Sequence, residues 1–121
     1  MSAVSKIVRK LRQSIYTHKV KKDSMSYGEN LKVNFYTKVT SKTQLGNNCN
    51  FNGCNISGRG AVTIGDNFHS GRNVQMITSF HNYDGGTEIP YDSTYVDKDI
   101  HIGNQVWLGN NVIVLGGGEH W

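Results

Sequence analysis

The fold is decided by residues 62–117, which read VTIGDNFHSGRNVQMITSFHNYDGGTEIPYDSTYVDKDIHIGNQVWLGNNVIVLGG. Apolar or small side chains recur here at every sixth position, and Gly often follows them. Two blocks keep this spacing: Ile64, Ser70 and Met76 in the first, and Ile102, Leu108 and Val114 in the second. A polar segment separates the blocks, and His81 lies where the first block meets it.

The same period begins earlier in the chain. Its first members are Val33, Val39, Leu45 and Phe51, and one extra residue in the segment GRGAV then shifts the register. A six-residue unit suits a short strand with one inward side chain, followed by a tight turn where Gly, Asn or Asp tolerates positive φ. Stacked units of this kind share one continuous core. Helices repeat every 3.6 residues and ordinary strands every two, so the spacing predicts coils of stacked parallel strands.

The length and charge of the chain limit the functions that it can have. A chain of 121 residues predicts one domain and a modest core. Residues 1–60 hold 11 Lys or Arg and 2 Asp or Glu, whereas residues 61–121 hold 2 and 7. The repeat region therefore lacks the basic surface with interleaved aromatics that a nucleic-acid groove needs, and we expect no nucleic-acid partner.

The two cysteines and the hydropathy pattern give no sign of export. Cys49 and Cys54 match neither a zinc-ligand pattern nor a disulfide framework, so we expect both to be buried as small apolar side chains. The chain has no long apolar run and no apolar signal-peptide core near its N-terminus. These features favour a cytoplasmic protein.

The N-terminal segment predicts an amphipathic helix over residues 2–20, capped by Ser2. Its apolar stripe consists of Val4, Ile7, Val8, Leu11 and Ile15. One interpretation is a helix that lies on an anionic membrane surface. The other is a helix packed on the repeat domain with its basic face in solvent, which we favour because the stripe lacks Trp and Phe. Turn formers in residues 21–30 predict a linker, so the chain divides into residues 1–30 and a repeat domain over residues 31–121.

Three segments of the repeat domain resemble the hexapeptide-repeat acyltransferases: residues 64–67 (IGDN), 80–86 (FHNYDGG) and 99–109 (DIHIGNQVWLG). The resemblance covers roughly residues 31–117 and is greatest to O-acetyltransferases of surface polysaccharides, galactosides and xenobiotics. It implies a left-handed parallel β-helix, a homotrimer with active sites between neighbouring subunits, and acetyl-CoA as co-substrate. The implied reaction moves an acetyl group to a hydroxyl of a sugar or of a polysaccharide precursor.

The resemblance also implies a catalytic centre next to a loop over residues 82–98. His81 matches the catalytic base of these enzymes, and imidazole suits the task because its pKa lies near neutrality. Asp84 matches a carboxylate that would orient the imidazole, although an Asp before Gly85 is equally natural in a turn. Glu88 is a weaker candidate for the same role.

Three more residues match binding positions of the resembled enzymes. Trp107 and Asn110 correspond to residues that border the CoA site, where a flat ring can cover the pantetheine arm and an amide can bond its peptide-like groups. Their alternatives are packing on the outer wall for Trp107 and a corner turn for Asn110. Asn52 corresponds to a residue that contacts the acceptor, although the register shift weakens this match.

Two other functions stay open. Related β-helices of the γ-carbonic-anhydrase type bind zinc with three His, but His69, His81 and His101 do not reproduce their spacing, and His101 is expected to face solvent. We therefore expect no metal. The second alternative is a non-catalytic trimeric β-helix module. Family members continue with further repeats after a segment such as VIVLGG, whereas residues 118–121 contain no repeat unit, so we expect a truncated, C-terminally incomplete domain.

Overall fold

The structure, a computed structural model, describes residues 2–81, 95–117 and 119–120. A single helix, α1 (Ala3–Asp23), precedes short strands throughout this part of the chain. The strands are β1 (Lys32–Val33), β2 (Thr43–Leu45), β3 (Asn50–Phe51), β4 (Cys54–Ser57), β5 (Val62–Ile64), β6 (His69–Ser70), β7 (Val74–Ile77), β8 (Ser79–His81), β9 (Tyr95–Asp97), β10 (Ile100–Ile102), β11 (Trp107–Leu108), β12 (Ile113–Leu115) and β13 (Glu119–His120).

Helix α1 begins and ends where its sequence provides caps. The Ser2 hydroxyl accepts a hydrogen bond from the Ser5 amide at 3.1 Å, which confirms the predicted N-cap. The predicted end at residue 20 is wrong, because α1 continues to Asp23. Lys19 and Asp23 form an ion pair of 2.7 Å one turn apart, an arrangement that supports this last turn.

The strands form three parallel sheets that the chain visits in rotation. Wall A contains β2, β5, β10 and β13, wall B contains β1, β3, β6 and β11, and wall C contains β4, β7 and β12. Every pairing within these walls is parallel, and each coil lies above the one before it. The predicted stack of parallel strands is therefore confirmed as a three-sided β-helix. Its left-handed sense stays a prediction.

The core is a column of inward side chains, with two from strands such as β5 and β7. The members of the sixfold series that are buried are Val33, Val39, Leu45, Phe51, Ile64, Ser70, Met76, Ile102 and Val114. Phe51 and Phe68 stack across successive coils with ring centroids 5.3 Å apart. Burying one such side chain contributes about 1.5–3 kcal/mol, so this column holds the walls together. Cys49 and Cys54 lie in the same core, as predicted.

Asparagine side chains line the corner between walls A and B. Asn30, Asn48 and Asn67 all have φ near 58°–59°, a region that Asn tolerates better than most residues. The Asn30 Nδ2 donates to the Asn48 Oδ1 at 3.1 Å, and the Asn48 Nδ2 donates to the Asn67 Oδ1 at 3.1 Å. This ladder links the coils along the corner and confirms the turn role predicted for Asn.

The register shift lies partly where the sequence pattern did not place it. The corner between Phe51 and Cys54 is one residue shorter than the equivalent corner between Ser70 and Val74, as the strand pairing shows. Gly53 permits the short corner with φ of 116°. The extra residues follow only after β4, in residues 58–61. The sequence spacing shows only the sum of the two changes, which is a single added residue.

Helix α1 packs on β1, but not with the expected face. The Gln13 Nε2 donates to the Asn34 Oδ1 at 2.6 Å, the Thr17 hydroxyl accepts from the Val33 amide at 3.0 Å, and Val20 is buried. The apolar stripe lies on the other side and is exposed. Packing of that stripe on the repeat domain is therefore a wrong prediction. At the open end of the first coil, the Val33 amide donates to Thr17 and the Asn34 carbonyl accepts from the Arg12 Nε at 2.9 Å, so polar side chains of α1 satisfy backbone groups there.

The end of the chain contains one more strand. Residues 119–120 form β13, which pairs in parallel with β10 through His101↔Glu119 and Ile102↔His120. These residues continue wall A, although residues 118–121 contain no repeat unit in the sequence. Across the residues that the structure describes, we find no helix long and apolar enough to cross a membrane.

Candidate functional site

His81 lies on a two-stranded arm that leaves the β-helix at the corner between walls C and A. Strand β8 pairs antiparallel with β9, with His81 opposite Tyr95. His81 is therefore not the last residue of a regular coil, because β7 and its wall end at Ile77. The rings of His81 and Tyr95 are 4.6 Å apart and inclined by 32°. Packing on Tyr95 restricts the orientation of an imidazole that is otherwise exposed.

The root of this arm is fastened by polar contacts. The Ser79 hydroxyl donates to the Asp97 Oδ1 at 2.7 Å and accepts from the Arg59 amide at 2.8 Å. The Arg59 Nε lies 3.4 Å from the Asp97 Oδ1, and its guanidinium lies 5.5 Å from the Tyr95 ring centroid. The Ser79 hydrogen bond lowers the pKa of the Asp97 carboxyl, and the Arg59 charge acts in the same direction. The predicted loop over residues 82–98 therefore includes strand β9, and Tyr95 and Asp97 on this strand set the position of His81 together with Ser79 and Arg59.

Arg59, Ser79, Tyr95 and Asp97 are functional candidates that sequence reasoning missed. Arg59 belongs to the irregular segment GRGAV, which the pattern marked only as a break in register. The remaining three lie on opposite sides of the polar segment, so no fixed spacing connects them. Asp84 and Glu88, the carboxylates predicted to orient the imidazole, lie outside the described residues.

The side-chain amide of Asn52 forms hydrogen bonds with the coils on either side of it. Its Oδ1 accepts from the Asn34 Nδ2 at 2.9 Å, and its Nδ2 donates to the Ser70 carbonyl at 3.0 Å. The same Nδ2 lies 3.3 Å from the His69 Nε2. These contacts tie three successive coils together at the short corner between walls B and C, which gives Asn52 a structural task whatever else it binds.

Trp107 lies on the outer face of wall B, directly above His69. The two residues are paired in register, and their rings are 6.3 Å apart. Trp107 is 71% exposed. The structure thus brings together Asn52, His69 and Trp107, a group that sequence reasoning did not predict because it considered His69 only as a zinc ligand.

Asn110 occupies the corner that follows β11. Its Oδ1 accepts a hydrogen bond from the Arg72 amide at 2.8 Å, and the neighbouring Asn73 and Asn111 side chains are joined at 2.8 Å. The corner-turn role foreseen as the alternative for Asn110 is therefore present. Asn110 is also exposed.

The predicted site residues fall into two groups within one chain. His81 leaves the corner between walls C and A, whereas Trp107 lies on wall B, the side of the three-sided β-helix opposite that corner. Asn52 and Asn110 mark the corner between walls B and C. A single chain therefore cannot place the proposed base and the proposed CoA-binding residues around one substrate.

The three histidines of the zinc alternative lie on separate parts of the fold. His69 lies on wall B, His101 on wall A, and His81 on the arm. His101 is exposed, as predicted. Among the residues that the structure describes, no group of three His, Cys, Asp or Glu side chains could hold a metal ion.

The comparisons with known proteins identify the fold. No protein-family model matches the chain, and no curated protein matches it by sequence. Two solved structures are similar: point mutants of AntD, an N-acyltransferase from Bacillus cereus, in complex with dTDP and coenzyme A. The first has 16% identity and a TM-score of 0.56 over 82% of this chain and 68% of the other; the second has 15% and 0.55 over 84% and 70%. The architecture is thus shared with an acyltransferase that binds coenzyme A.

Proposed function

We propose that this chain transfers an acetyl group from acetyl-CoA to a hydroxyl of a sugar or of a surface-polysaccharide precursor. The observation that carries the proposal is the placement of His81, an exposed imidazole packed on Tyr95 at the root of an arm that leaves a parallel β-helix. The shared fold with AntD, an N-acyltransferase in complex with coenzyme A, supports acyl transfer from a CoA thioester.

The proposed chemistry needs one base and one oxyanion site. The unprotonated His81 takes the proton of the acceptor hydroxyl as that oxygen attacks the thioester carbonyl. Backbone amides stabilise the oxyanion that forms. Collapse of this intermediate breaks the carbon–sulfur bond, and the imidazolium of His81 returns its proton to the departing CoA thiolate. The products are the O-acetylated acceptor and free CoA, and Asp84 is proposed to stabilise the imidazolium.

The proposed enzyme is a homotrimer with its sites between subunits. Within one chain, Trp107 and His81 lie on opposite sides of the β-helix. In a three-fold assembly, wall B of one subunit faces the arm of its neighbour, so the two groups meet across the interface. Trp107 would then cover the pantetheine arm, and Asn110 and Asn52 would line the crevice.

Amine acylation is a second candidate for the same site. AntD is an N-acyltransferase, and its solved structures contain dTDP. An amino group on a nucleotide-linked sugar is therefore an alternative acceptor, and the catalytic base would serve it in the same way. Acceptors of matched structure that carry either a hydroxyl or an amine at one position distinguish the two reactions.

The test measures CoA release from acetyl-CoA with a thiol reagent in the presence of sugar, nucleotide-sugar and amino-sugar acceptors. His81→Ala is expected to lower kcat/KM by about 10²–10⁴-fold, the usual contribution of general base catalysis. His101→Ala is the matched control, because His101 is exposed on wall A, and its rate is expected to equal that of the unmodified protein.

Two results would contradict the proposal. If His81→Ala and His101→Ala release CoA at the same rate, His81 is not the base. If the protein binds no CoA in calorimetry and transfers to no acceptor, the non-catalytic module is the better description.

A further inference from the structure

Helix α1 exposes the side chains that its sequence marks as apolar. Val4, Ile7, Val8, Leu11 and Ile15 occupy one stripe, and each is between 55% and 70% exposed. Large aliphatic side chains in contiguous rows are uncommon on the surface of a soluble monomer and mark an interaction site. We therefore expect a binding partner to cover the stripe.

The β-helix cannot be that partner, because it holds the opposite side of α1. Gln13, Thr17 and Val20 point toward the first coil and are held there by hydrogen bonds and burial. With 3.6 residues per turn, these positions lie across the helix axis from Val4, Leu11 and Ile15. Residues 2–11 are all exposed, so the stripe on the first half of α1 has no contact that buries it in the β-helix.

The charge on α1 identifies the partner. Residues 2–22 contain seven Lys or Arg and no Asp or Glu. Lys10 lies beside the apolar stripe and Lys22 continues its line toward the helix C-terminus, whereas Arg12 faces the β-helix, where its Nε donates to the Asn34 carbonyl at 2.9 Å. A second copy of α1 packed on this stripe would bring two strongly basic helices together, which is unfavourable. A partner with an apolar layer beneath a layer of negative charge would bury the stripe and attract the basic side chains beside it.

We propose that α1 lies on the surface of a phospholipid bilayer that contains acidic headgroups. The stripe enters the boundary between headgroups and acyl chains, and Lys10 and Lys22 contact lipid phosphates. The lack of Trp and Phe in the stripe does not prevent this, because five aliphatic side chains provide the apolar area. Each buried aliphatic side chain raises the partition by about tenfold or more, and each nearby Lys or Arg by about fivefold.

The first arm of the test compares flotation of the full chain with vesicles of phosphatidylcholine alone and with vesicles that also contain phosphatidylglycerol. We expect binding only to the acidic vesicles. Ile7→Gln combined with Leu11→Gln keeps good helix formers and is expected to lower binding by about a hundredfold or more, about tenfold or more for each side chain. Met25→Gln is the matched control, because Met25 is 56% exposed but lies outside the stripe, and its binding is expected to be unchanged.

The second arm tests the charges. Lys10→Gln combined with Lys22→Gln is expected to lower binding to acidic vesicles by about 25-fold, about fivefold for each charge, whereas Lys38→Gln on the β-helix leaves it unchanged. Thermal melting of every variant shows that the fold is retained. Equal binding to both vesicle types, or binding to neither, overturns the proposal. So does a stripe variant that reduces the size of the oligomer, because a second copy would then cover the stripe.

Discussion

At Gly46, two coils of the corner between walls A and B approach so closely that a side chain has no room. A Cβ atom there would lie 2.5 Å from the Asp66 Oδ1 and 2.7 Å from the Gly65 carbonyl carbon. The φ of Gly46 is not positive, so close approach rather than backbone conformation requires glycine at this position. This stacking explains the glycines that follow Leu45 and Ile64 in the sequence pattern, but not Gly109, which follows Leu108.

Gly46→Ala is therefore expected to lower the free energy of unfolding by about 1–3 kcal/mol, the usual cost of overpacking. Gly109→Ala provides the control, because a Cβ atom at Gly109 meets nothing within 4 Å. That variant is expected to be neutral, or more stable by about 0.4–1 kcal/mol because alanine restricts the unfolded chain. Urea unfolding of the two variants measures the difference, and equal midpoints would contradict the explanation.

The two thiols are expected to be unreactive in the folded protein. Burial raises the pKa of the Cys54 thiol to about 12 and also raises that of Cys49. At pH 8 the thiolate fraction of Cys54 is then about a thousandfold lower than that of an ordinary thiol with a pKa of 9.0. A chromogenic disulfide reagent should label neither cysteine of the native protein and both in denaturant. Rapid labelling of the native protein would show that the core opens.

At the scale of elements, the arm that carries His81 depends on the charge of Asp97. Folding lowers the pKa of the Asp97 carboxyl. The stability that this carboxylate gives to the arm is therefore present above its unfolded pKa and is lost as the pH falls through its folded pKa. We expect the protection of the β8 amides against hydrogen exchange to decrease over that acidic range. Asp97→Asn should have low protection at neutral pH and no such pH dependence, whereas Glu29→Gln on the first coil should behave like the unmodified protein. An arm with the same protection in Asp97→Asn would exclude this role.

The coils could be predicted from the sequence, and the docking of α1 could not. Each strand needs one inward side chain, so Leu45, Phe51 and Ile64 report the core directly through their spacing. The face of α1 that docks is chosen by hydrogen bonds such as Gln13 to Asn34, and a pattern of apolar residues does not contain them. The sixfold period likewise does not predict the contact of Arg59 with Asp97. The position of His81 at the edge of the repeats was predicted, but the arm beneath it was not.

The whole molecule places its two groups of candidate residues on opposite sides, so activity should depend on assembly. His81→Ala and Trp107→Ala are each expected to be weakly active alone. When the two variants are co-expressed, mixed trimers contain some interfaces with an intact His81 and an intact Trp107. Random mixing restores about a quarter of the sites in a three-fold assembly with sites between subunits. Activity that does not rise above that of the separate variants would contradict a site shared between subunits.

The arm also affects which changes in sequence and length the protein can tolerate. Both ends of the segment over residues 82–94 return to the same place, since the Lys98 amide donates to the Thr78 carbonyl at 2.7 Å and wall A continues from β5 to β10 without interruption. Lengthening a segment whose ends are already joined costs only about 0.6 kcal/mol for each doubling. The segment can therefore be exchanged, by evolution or by an engineer, for another of different length and chemistry. The scaffold would keep its shape while the side chains presented beside His81 change.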